Sequence, residues 1–263
     1  MLARLAVAPS GAHEYAAPNG RSNGIMMRRL LAPSCALAAL LALPPLVLDA
    51  AEPTRASAQV PVTADVVAAR VQAFYDQTQT VQARFQQHFW SRVYSRTQSS
   101  RGRLAIRRPG QVRFDYDAPS GKVLVSDGRQ WTMYEPIEGT AGQYAQGDAA
   151  AASASALGFL TGSARITDFT RTLRAPSATQ PAHTDALELR PRRPDPHYTR
   201  IVVYVDNDPG ALGVVRRVSI EDADGNWNRF DFSDLRFNRD LPASTFAFAP
   251  PAGAHELSAT APR

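Results

Sequence analysis

Val81-Gln82-Ala83-Arg84-Phe85-Gln86-Gln87-His88-Phe89 is the stretch that decides the fold. Val81, Ala83, Phe85, Gln87 and Phe89 share one parity, while Gln82, Arg84, Gln86 and His88 share the other. A period of two marks a half-buried strand, because successive side chains leave opposite faces of the backbone. The pattern persists downstream. Leu104 and Ile106 alternate with Arg103 and Arg107, then Val112, Phe114 and Tyr116 alternate with Arg113, Asp115 and Asp117. Pro109-Gly110, Ala118-Pro119-Ser120-Gly121 and Asp127-Gly128 supply the turns between these runs. Short turns between alternating strands give an antiparallel meander with one apolar face.

Working outward, residues 62–79 read as a helix, with Val66, Val67, Val71, Phe74 and Tyr75 at helical spacing and Thr63 as its cap. Polar residues Ser95 to Ser100 read as a turn. Residues 136–163 break the strand rhythm. They are rich in Gly, Ala, Ser and Gln and read as a mobile loop leading to a short helix that ends at Leu157, Phe159 and Leu160. A long loop inside a domain suits a lid or a functionless insertion. Strand signals resume at Arg165–Leu173, Leu187–Leu189, Ile201–Val205, Val214–Ile220 and Trp227–Phe232, followed by Leu235, Phe237, Phe246 and Phe248. The predicted fold is mainly β: an incomplete, strongly curved antiparallel barrel of about eleven strands closed by short lid helices.

The N-terminus reads as an address. Arg28 and Arg29 precede an apolar run from Leu30 to Leu48, and Ala56-Ser57-Ala58 offers a small-residue cleavage site. Met27 makes a better start than Met1, so residues 1–58 read as an upstream stretch plus a cleaved signal, and 59–263 as a single domain. The only cysteine, Cys35, falls inside the apolar run. A domain without it folds on its core alone, even in an oxidising compartment.

Charge and chemistry exclude several classes. The chain carries 29 Lys and Arg against 24 Asp and Glu, or +5, and a chain from Gln59 keeps 24 against 21, or +3. No concentrated basic stripe or recognition module accompanies this bias, so nucleic acid is not an expected partner. The histidines His13, His88, His183, His197 and His255 form no metal-ligand spacing, and no phosphate loop or nucleophile elbow occurs. Asp206, Asp208, Asp222 and Asp224 fit turn chemistry better than a calcium loop. No catalytic residue and no cofactor is expected. What remains is the apolar face. Val81, Phe85, Phe89, Leu104, Ile106, Val112, Phe114, Tyr116 and Met133 are expected to line a lipid cavity, although for any one of them ordinary core is the simpler role.

The run Gly102-Arg103-Leu104-Ala105-Ile106-Arg107-Arg108-Pro109-Gly110-Gln111-Val112-Arg113-Phe114-Asp115-Tyr116 resembles the LolA family, outer-membrane lipoprotein carriers of Gram-negative periplasms. Supporting motifs are Phe85-Gln86-Gln87, Pro119, Val125-Ser126-Asp127-Gly128, Trp131-x-x-Tyr134-x-Pro136, Asp224-Gly225-Asn226, Phe232 and Phe246-x-Phe248-x-Pro250-Pro251-x-Gly253. The resemblance implies a periplasmic, monomeric carrier, not an enzyme. It would take acylated lipoproteins from an inner-membrane ABC transporter and pass them to the outer membrane, with an outer-membrane receptor lipoprotein as a further partner. By resemblance, Arg108 matches the family arginine that latches the lid, the lid maps to about 149–160, and Val112 stands where phenylalanine is frequent. Two other readings stay open: carriage of a different lipid or acylated metabolite, and a non-enzymatic periplasmic sensor or adaptor.

Overall fold

The computed structural model describes residues 61–149, 161, 165–195 and 197–257. Thr63 opens α1 (Ala64–Asp76), its hydroxyl accepting from the Val66 N–H at 3.3 Å. One face of α1 then buries Val67, Ala68, Val71 and Tyr75. The first strands follow as alternation predicts: β1 (Thr80–Ser91), β2 (Arg96–Arg107), β3 (Gln111–Tyr116), β4 (Val123–Asp127) and β5 (Gln130–Glu135). After them come β6 (Gln143–Asp148), β7 (Phe169–Leu173), β8 (Thr184–Pro191), β9 (Arg200–Asp206), β10 (Val215–Glu221), β11 (Trp227–Phe237) and the short β12 (His255–Glu256).

All twelve strands form one sheet, in the order β12-β6-β5-β4-β3-β2-β1-β11-β10-β9-β8-β7. The join at the centre is β1 against β11, where Phe85 faces Phe232 and Gln87 faces Phe230. That pairing links residues about 140 positions apart, so the two meanders become one sheet only through a long-range contact.

Several expectations are corrected here. The sheet is mixed, because β12 runs parallel to β6. It neither closes into a barrel nor curls strongly: β12 and β7 are its two ends and do not pair with each other. Hairpin signals fix which strands are neighbours, but they do not fix how far twist accumulates across the sheet. Among the described residues α1 is the one α-helix described over its whole length, beside short 3-10 turns at Ile166–Asp168 and Ala243–Phe246; Ala149 and Thr161 are also helical. The expected lid residues Leu157, Phe159 and Leu160, and the expectations for residues 1–58, lie outside the described residues. The turn predicted over Ser95 to Ser100 sits earlier, at Arg92 to Ser95, and Arg96 already belongs to β2. Gln143–Asp148, read as loop, is a strand because its backbone pairs with β5 despite a weak side-chain pattern.

Helix α1 lies on the inner face of the β7–β11 half. Phe74 meets Phe237 edge-on at 4.8 Å, and the Tyr75 hydroxyl accepts from the Val215 N–H at 3.4 Å. Gly213, in the β9–β10 connection, allows this approach. Its φ is +89°, and a Cβ there would stand 2.4 Å from the Arg70 carbonyl oxygen.

Candidate functional site

The register assembles the inner face residue by residue. One row crosses β1 to β6 as Ala83, Leu104, Phe114, Leu124, Met133 and Ala145. Five strand spacings make this row about 24 Å long. A parallel row runs through Val81, Ile106, Val112, Ser126, Trp131 and Gly147. A third brings Phe85, Gly102 and Tyr116 side by side.

The residues predicted for the site divide in two. Val81, Phe85, Leu104, Ile106 and Phe114 are buried core. Phe85 stands edge-on to Phe114 at 5.3 Å, to Tyr116 at 5.0 Å and to Phe230 at 6.0 Å. Its ring lies over Gly102, where a Cβ would come within 2.8 Å of it. Phe89, Val112, Tyr116 and Met133 are half-buried. Val112, Tyr116 and Leu124 pack against the core cluster from its margin. Burial nevertheless pushes the Tyr116 phenol well above the usual tyrosine value.

Sequence reasoning missed Phe230, Phe232, Leu124 and Trp131. The alternation around Phe230 and Phe232 is legible, but their place beside Phe85 depends on the β1–β11 pairing.

Arg108 follows β2 with the parity of Ile106, on the inner side. Its Nε is buried and has no hydrogen-bond partner among the described residues. Its charge is felt at the buried Tyr75, whose phenol burial raises strongly, while the Val215 N–H and then Arg108 oppose that rise.

The outer face is occupied differently. The segment after β11 crosses β3 and β4, seating Phe246 beneath the Arg107 guanidinium at 5.2 Å and Phe248 beneath Arg113 at 5.9 Å. Arg113 also donates to the Thr245 and Ala247 carbonyls at 3.1 and 3.3 Å and holds Asp115 at 2.9 Å. Elsewhere the outer face carries ion pairs, among them Arg84–Asp117 at 2.8 Å and Arg229–Asp231 at 2.9 Å. His88 belongs to this face. Its Nδ1 lies 2.9 Å from the Ser99 hydroxyl, and burial followed by the Arg229 charge lowers its pKa. Asp222 spends its carboxylate on its own turn, accepting from the Asp224 and Asn226 N–H groups at 3.0 and 2.9 Å.

Residues 76–249 match the family model for the outer membrane lipoprotein carrier protein LolA. The outer-membrane lipoprotein carrier protein of Chromobacterium violaceum is 30% identical over 198 residues, spanning 75% of this chain and 90% of the relative. The chain belongs to the LolA family. The carrier of the same name from Methylibium petroleiphilum is 30% identical over 190 residues, covering 72% of this chain and 87% of its own. Among solved structures, a LolA superfamily protein from Nitrosomonas europaea aligns at 17% identity and a TM-score of 0.40, over 72% of this chain and 99% of that one. Family membership makes the protein a periplasmic, non-catalytic carrier or sorting protein for lipoprotein or lipid. It also implies dealings with lipoproteins and their transport machinery.

Proposed function

We propose that the protein binds the acyl chains of lipoproteins on the inner face of β1–β6 and carries them from the inner to the outer membrane. The observation that carries this reading is the apolar row across those six strands, whose Leu124 and Met133 are only half covered while Leu104 and Phe114 are buried. Helix α1 covers the opposite half of the sheet, and the outer face is taken by the C-terminal segment and ion pairs. Covering an acyl chain there gains about 0.8 kcal/mol for each CH₂ removed from water, with no need for specific polar contacts. In this reading the supplier is an inner-membrane ABC transporter, and the acceptor is the outer membrane or a receptor lipoprotein in it.

Arg108 is the latch in the same proposal. A buried guanidinium nitrogen without a partner costs about 1–3 kcal/mol. A segment that offers it a carbonyl is held over the face, and cargo displaces that segment.

The test is to isolate the protein from periplasm and identify bound lipid by mass spectrometry. A lipopeptide supports the proposal, and a free lipid or acylated metabolite shifts the cargo. Nothing bound, with no uptake of an acyl probe, refutes it in favour of an adaptor.

A further inference from the structure

The β1–β2 hairpin outruns the sheet on one side. β3 pairs with β2 only from Gly102 to Arg107, whereas β1 and β2 stay paired out to Ser91 and Arg96. The five residues from Arg96 to Ser100 therefore project about 17 Å beyond the last bond on that side, which the Asp117 N–H donates to the Arg101 carbonyl at 2.9 Å. At the end, the turn Arg92-Val93-Tyr94-Ser95 holds two large side chains in water, Val93 at 80% and Tyr94 at 75% exposure. The next most exposed large apolar residues described are Val62 and Ile137, both at 44%.

This tip is braced. The Arg92 N–H donates to the Asn226 side-chain oxygen at 2.9 Å, and the Asn226 amide donates to Asp222 at 2.9 Å. The Arg92 side chain lies over Gly225, where a Cβ would stand 3.2 Å from its Cδ. The turn between β10 and β11 thus fixes the turn between β1 and β2. A braced valine and tyrosine held outward serve nothing within the fold.

The surroundings select a partner. Arg92 and Arg96 flank the apolar pair, and Arg101 lies further along the free edge, 75% exposed and 3.8 Å from Asp117. Asp117 is itself engaged by Arg84 at 2.8 Å, Asp222 is buried in its own turn, and Asp224, exposed beside the tip, also has a partner. Below the arginines, Trp90 and Trp227 stand opposite each other in register, both half-buried. An apolar tip inside an arginine collar suits a bilayer surface, where apolar side chains enter the interface and guanidiniums reach the phosphates. Two apolar side chains are too few for a stable protein interface, which takes about 800 Å² from each partner. Arginine matches phosphate bidentately.

We propose that this tip is a membrane-contact device that sets Val93 and Tyr94 among the headgroups of an anionic phospholipid surface, with Arg92 and Arg96 on the phosphates. Contact of this size is weak and reversible, and it would bring the carrier's sheet to a bilayer without anchoring it there. The tip is separate from the inner face, so the inference does not rest on cargo.

The experiment is flotation of the protein, purified from periplasm, with vesicles of phosphatidylcholine alone or mixed with phosphatidylglycerol. Binding is expected to the mixed vesicles only and to fall as salt rises. Each arginine near the surface contributes about fivefold, so Arg92→Gln with Arg96→Gln lowers partitioning by more than tenfold. Val93→Ser with Tyr94→Ser abolishes it and keeps the wild-type melting temperature because both side chains are exposed; Arg92→Gln keeps the backbone N–H that braces the turn. Absent wild-type binding to either vesicle, or binding that the Val93/Tyr94 pair leaves unchanged, overturns the proposal. So does a pair that changes only self-association, which would make the tip a contact between copies. Acyl-probe uptake measured on the same variants should not move. Wild-type protein that binds vesicles but takes up no probe would sink the carrier reading and leave this one standing.

Discussion

Phe85→Ala separates packed core from cavity lining. Phe85 is 2% exposed and makes edge-on contacts with Phe114, Tyr116 and Phe230. The neighbour beneath its ring is Gly102, which has no side chain to move into the space. Truncating a packed phenylalanine costs about 3–5 kcal/mol, with the upper end expected where collapse is blocked. That is a large share of the roughly 5–15 kcal/mol that holds a domain together. At about 2–4 °C per kcal/mol for a domain of this size, the melting temperature should fall by about 6–20 °C. Thermal unfolding by circular dichroism, with a urea titration to confirm an unchanged slope, measures it. A drop below about 3 °C would mean that the ring faces open space, and the division of the inner face into core and margin would be wrong.

Other changes should read differently. Met133→Gln, at the half-covered end of the apolar row, costs about 1 kcal/mol of stability but weakens uptake of a fluorescent fatty acid severalfold; equal uptake by the variant counts against the inner face as the binding surface. Arg108→Leu removes the buried, unpartnered Nε and should favour retention of cargo, seen as slower transfer to acceptor membranes. Unchanged transfer removes Arg108 from the latch role. The Asp127 carboxyl lies below the usual carboxylate range because the Gln130 and Arg129 N–H groups donate to it at 2.8 and 2.7 Å. Its folded-state pKa is depressed, so its contribution is present above the unfolded value near about 3.9 and is lost as pH falls through the folded value. Wild type and Asp127→Asn should therefore converge in melting temperature in acid, and a gap that stays constant from pH 7 downward contradicts this.

The sequence by itself determined the strands from Val81 to Tyr134, their turns except the one between β1 and β2, the parity that puts Phe85, Leu104 and Phe114 inward, and the family. Alternation and turn residues act over a few positions, so they are written in local order. It did not determine β12, two residues long, or β6, whose Gln143, Tyr144 and Gly147 give no clear period. Only the tertiary structure decided that β1 joins β11, that Phe230 stands beside Phe85, and that the tail of Phe246 and Phe248 claims the outer face. It also decided that the sheet stays open, with β7 and β12 as separate ends. These are contacts between residues far apart in the chain, fixed by which apolar faces meet. The pattern of each face is local, but its choice of partner is not.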